Sequence, residues 1–114
     1  MQGIWNEHTY STEWIVQLRG AMDADPDAQA VEIVASDQGN WPICADMMKN
    51  QTVRNAIAII GSHYPVAGPH GKPTPAECQT LNTQHGKPLW TSEGWSLGEV
   101  NDYKVRYHSN PYRS

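Results

Sequence analysis

Two glutamates stand at the ends of short apolar runs, Ile4-Trp5-Asn6-Glu7 and Leu89-Trp90-Thr91-Ser92-Glu93. They lie 86 positions apart (93 − 7). Strands ending in carboxylates at one edge of a parallel sheet can bring those carboxylates face to face. Two facing carboxylates are the minimum equipment for cleaving a glycosidic bond: one attacks the anomeric carbon, and the other protonates the leaving oxygen. A mechanism that retains configuration needs them about 5–5.5 Å apart. At that spacing the charges repel, and one carboxyl keeps its proton near neutral pH. Asn6, beside Glu7, suits a hydrogen bond to the sugar 2-hydroxyl, an interaction that strengthens in the transition state. Tyr64, and after it His63, can donate to the ionised carboxylate, though packing roles fit both equally well. Trp41, Trp90 and Trp95 offer flat apolar surface, but each is a core candidate before it is a sugar platform. Asp37 fits a helix cap or loop residue better than a catalytic one.

The elements that must position these residues follow from periodicity. After the first run, Ser11 or Thr12 caps a helix with Glu13 in its first turn. Trp14, Ile15, Leu18, Ala21 and Met22 form its apolar face, and Asp25-Pro26-Asp27 ends it. A second apolar run, Val31 to Ala35, stops at Ser36-Asp37. Pro42 suits the first turn of a helix carrying Ile43, Met47 and Met48, and a second helical stretch around 53–56 follows Asn50. The third run, Ile57 to Gly61, is β-branched enough for a buried strand and ends at Ser62-His63-Tyr64-Pro65. Residues 66–87 form a Gly- and Pro-rich loop with one helical turn near Pro75 to Leu81, and Pro88 to Ser92 is the fourth run.

The runs are centred near 4, 33, 59 and 90, a step of about thirty residues and the length of a βαβ unit. Polar residues collect at the C-terminal end of each run. That is where a (β/α)8 barrel builds its active site. An open doubly wound sheet would bring a Gly-rich phosphate loop, and none is present. The expected fold is therefore α/β, a partial TIM barrel. A whole one takes about 250 residues, so 114 residues supply half.

Bulk properties exclude several classes. The net charge of −4 is weak and scattered, giving no basic surface for nucleic acid or anionic membrane. No apolar run is long enough to span a bilayer, and residues 1–20 do not have the pattern of a signal peptide. With 39% hydrophobic residues a modest core is expected rather than disorder. The five histidines do not cluster, so neither a metal site nor a cofactor is expected. Cys44 and Cys78, 34 positions apart, fit two lone structural thiols better than a disulfide. Asn50-Gln51-Thr52 is a glycosylation sequon that matters only in a secretory compartment, and a pattern this short often arises by chance.

Four motifs in order, Gly3 to Glu7, Ile33 to Asp37, Ile59 to Pro65 and Gly86 to Glu93, resemble the galactocerebrosidases, glycoside hydrolase family 59. Trp14-Ile15, Leu18-Arg19 and Trp41 through Met48 resemble that family's connecting helices. The likeness covers residues 2–97, and leaves 98–114 as a divergent, irregular tail. It implies a retaining β-galactosidase acting on galactosylceramide-type galactolipids, lysosomal or secreted, with strands 4 to 7 of the barrel in this chain. Glu7 then corresponds to the acid/base and Glu93 to the nucleophile. Asn6, His63, Tyr64, Trp41 and Ser96 become candidate substrate contacts. Two departures stand out. Glu93-Gly94-Trp95-Ser96 occupies the place of the family's Glu-Asp-aromatic-Ser, and the loop from Val66 to Gln84 is unlike the family's. The alternatives are another retaining barrel glycosidase, or a truncated chain that holds the residues without the scaffold. Any lipid-presenting partner is not legible.

Overall fold

The computed structural model describes residues 10–63 and 74–93. The first predicted strand, Gly3-Ile4-Trp5, lies outside the described residues, as do Asn6, Glu7, Tyr64, Trp95, Ser96 and the 98–114 tail.

Helix α1 runs Thr12–Asp23, with Ser11 as its N-cap accepting from the Trp14 amide. Of its apolar face only Ile15 is wholly buried; Val16, Leu18 and Met22 pack partly against the core. Arg19 pairs with Asp23 one turn on, at 2.8 Å. It also donates to the carbonyls of Val31 and Gln29, at 2.6 and 3.1 Å. One guanidinium thus folds the segment after α1 back against the helix, with its fixed fork of donors reaching three acceptors.

Strands β1 (Val34–Gly39), β2 (Ile59–His63) and β3 (Leu89–Glu93) form a parallel sheet in the order β1-β2-β3. The helices between them, α2 (Ile43–Lys49), α3 (Gln51–Ala56) and α4 (Ala76–His85), complete a βαβαβ run. The α/β class and parallel pairing expected from the spacing are therefore present, over three strands. Residues from these helices, the sheet and the segments joining them share one core, among them Ile33, Ala35, Ile43, Met47, Val53, Ile57, Ile60 and Leu81. Every residue of β2 is buried, as befits a central parallel strand.

Three expectations need correction. The second strand begins at Val34 rather than Val31, and Val31 and Glu32 are exposed. Pairing with β2 carries the ladder on through Ser36, Gln38 and Gly39, so backbone hydrogen bonding, not the apolar run, sets the strand's extent. The single helical turn near Pro75 is a ten-residue helix, stopped by Gly86 in the left-handed conformation at φ 66°, which glycine adopts without a Cβ penalty. Finally, Cys44 and Cys78 are joined as a disulfide between α2 and α4, with Cα atoms 5.2 Å apart. Both side chains are buried. Spacing along the chain could not reveal that α2 and α4, separated by a helix and a strand, pack side by side.

The middle of the sheet is tight. A Cβ on Gly61 would lie 2.8 Å from Val34 Cγ1 and 3.2 Å from Ser92 Cβ, so only glycine fits between these neighbours. Lys87 reaches back from the start of β3 to donate to the Ile57 carbonyl at 2.8 Å. Burial, then the nearby Arg54 charge, lowers its pKa.

Candidate active site at the C-terminal rim of the sheet

Because the three strands are parallel, their C-terminal ends open on one rim. There β1 brings Asp37, β2 brings His63 and β3 brings Glu93. In register, His63 is the partner of Glu93 across the β2–β3 pair, beyond an irregularity between Ser62 and His63. In this register the strand end that carries Glu93 adjoins the one that carries His63.

Across the other pair, His63 Nε2 lies 2.8 Å from Asp37 Oδ1. Both side chains are largely buried, at 6% and 13% exposure. The contact depends on a backbone irregularity. The ladder matches Ser36 with Gly61 and Gln38 with Ser62, skipping Asp37 as the extra residue of a bulge. Asp37 has φ 61° and, three residues on, Asn40 has φ 68°. Non-glycine residues are uncommon in this left-handed region, and such outliers gather at functional sites. Bulges likewise re-aim side chains beside active sites. The β1 end is held by the Ser62 hydroxyl, which donates to the Asn40 carbonyl and faces that of Gln38 at 3.3 Å.

Asp37 is therefore not a helix cap. It is the carboxylate partner of His63, which its place in the sequence did not disclose; a polar pair at the ends of two adjacent parallel strands was the available signal. Trp41, a predicted substrate contact, is packed in the hydrophobic core at 8% exposure. Its indole nitrogen and the buried Ser36 hydroxyl have no hydrogen-bond partner among the described residues. Trp90, by contrast, is 39% exposed and does not fill the core role expected of it, and Trp14, expected on the apolar face of α1, is 41% exposed. Among the described residues no group of three or more His, Cys, Asp or Glu side chains could hold a metal ion. No described helix is long and apolar enough to cross a membrane.

Comparison with known proteins identifies the lineage of this rim. The model of glycosyl hydrolase family 59 matches residues 1–111. The chain belongs to that family. It is similar to a galactocerebrosidase of Salmo salar, 35% identical over 94 residues, which cover 82% of this chain and 13% of the relative. The Homo sapiens galactocerebrosidase is 36% identical over 82% of the chain and 12% of its own length. That of Mus musculus is 34% identical over 87% and 13%. The chain thus spans roughly an eighth of the relatives it matches. The family match runs past Leu97 into the tail.

Proposed function

We propose that this chain is a catalytic segment of a retaining β-galactosidase that hydrolyses galactosylceramide-type galactolipids. The observation that carries the proposal is the family match over residues 1–111, and Glu93 at a parallel-strand terminus agrees with it. The three described strands correspond to strands 5 to 7 of a TIM barrel, with Gly3-Ile4-Trp5 as strand 4. Residues 1–97 are the barrel fragment, and 98–114 a tail that diverges within the family. A lysosomal or secreted location is the reading that family membership supports.

In the proposed mechanism Glu93 attacks the anomeric carbon while Glu7 donates a proton to the departing oxygen. Glu7 then takes a proton from the water that frees the sugar. Asn6 and Ser96 bind sugar hydroxyls, and Tyr64 orients Glu93. Trp41, being buried, shapes the pocket wall from behind. Asp37 acts as a positioning residue. Its carboxylate holds the His63 ring beside the strand end that carries Glu93.

The test places this segment in a full-length relative, in exchange for the corresponding stretch, and follows aryl β-galactoside hydrolysis. Glu93→Gln should lower kcat on the order of 10⁴-fold or more. Glu7→Gln should spare substrates whose leaving group needs no protonation. Asp37→Asn should lower kcat with KM little changed. Full turnover by Glu93→Gln would sink the assignment of the nucleophile.

A further inference from the structure

Asn50 is the single residue between α2 and α3, closing one helix and opening the next with extended backbone at φ −135° and ψ 111°. It begins the chain's one Asn-x-Ser/Thr sequon, Asn50-Gln51-Thr52. Its Oδ1 accepts from the Thr52 amide at 2.9 Å and the Val53 amide at 3.3 Å. The carboxamide oxygen is committed to capping α3, while Nδ2, the atom that would bear a sugar, has no partner among the described residues. Residues 48–52 are all exposed, so nothing described shields that nitrogen.

A second, chemically independent observation concerns the compartment. Helix α2, which leads directly into Asn50, is disulfide-bonded to α4 through Cys44 and Cys78. Disulfides persist in oxidising, secretory environments and are rare in the cytosol. Those are the environments in which asparagine sequons receive glycans. Chain order also puts Asn50 in a suitable place. The α2–α3 segment leads from the C-terminal end of β1 back to the start of β2. A glycan at its midpoint stands away from the rim of Asp37, His63 and Glu93.

We propose that Asn50 carries an N-linked glycan. In the transfer, Nδ2 attacks the anomeric carbon of an oligosaccharide held on a polyprenyl diphosphate. The C–N bond forms as the C–O bond to the diphosphate breaks; the polyprenyl diphosphate departs, and a base on the membrane transferase takes one amide proton. Oδ1 keeps its two hydrogen bonds throughout, so the modified residue still caps α3.

The full 114-residue chain, behind a cleavable secretion signal in cultured animal cells, provides the test. Whole-cell lysate is compared before and after peptide-N-glycosidase, so the result does not depend on export. One discrete mobility step should disappear on treatment, with residue 50 converted to aspartate and labelled by heavy-oxygen water. Asn50→Asp keeps a capping oxygen and removes the acceptor nitrogen. Thr52→Ala keeps the cap, which uses only the Thr52 backbone amide. Both variants should lose the step completely. Unmodified migration of the wild-type chain, or a step that survives Thr52→Ala, would overturn the proposal.

Discussion

Asp37 and His63 show how a residue's role depends on what faces it. Along the chain they are 26 positions apart, and Ser36-Asp37 before a Pro-initiated helix has the look of a cap. In the sheet a bulge turns the Asp37 carboxylate onto the imidazole of the neighbouring strand. Tyr10 is another residue whose environment lies far away in sequence. Its hydroxyl donates to the Asp46 carboxylate, and burial first, then that carboxylate, raises its pKa well above the usual 10.0. A raised folded-state pKa contributes stability that is complete below the unfolded value and is lost as pH rises through the folded value. The chain should therefore weaken with increasing pH above about 10, where the unfolded phenol ionises first. Urea titrations between pH 8 and 11 should show this decline flattened in Tyr10→Phe. Parallel curves for the two proteins would contradict the linkage.

At the scale of elements, amphipathic spacing and caps are local and located α1, α2 and α3, whereas α4 was expected only as a single turn within a loop. Ser11 before α1, Pro42 before α2 and Asn50 before α3 all stand where such signals belong. Strand limits were less legible. The apolar run Val31 to Ala35 marked the strand's approach, but its polar end, Ser36 to Gly39, is strand only because β2 pairs with it. The α2–α4 disulfide was invisible for the same reason. Closing a loop between cysteines 34 positions apart limits the unfolded chain and stabilises the fold by about 3–4 kcal/mol. Cys44→Ser with Cys78→Ser should lower the urea midpoint by the corresponding amount. The wild-type midpoint should fall likewise when dithiothreitol is added. A midpoint indifferent to both would show that the bond carries no stability.

For the molecule as a whole, the sheet is the limiting feature. Among the described residues β1 and β3 each have one unpaired edge. Alternation along β3 turns Trp90 and Ser92, both exposed, away from the face on which Leu89 packs. Open edges and an uncovered apolar side chain favour association. The isolated 114-residue chain is therefore expected to self-associate as its concentration rises, by sedimentation velocity, and to turn over no aryl β-galactoside. A sharp-melting monomer with turnover would show that this segment suffices by itself.

Sequence alone determined the βα rhythm, the parallel sheet it demands, and the family through motifs kept in order. Each of these is written in local spacing and residue type, which do not wait for distant contacts. Tertiary structure decided which polar residues meet. The Asp37–His63 pair, the Cys44–Cys78 bond and the burial of Trp41 arise where separate strands and helices come together. Such meetings depend on register, bulge and packing, which no single segment of the chain encodes. The two glutamates that suggested glycosidase chemistry belong partly to each category: their types are local, while the distance between them is a matter of tertiary structure.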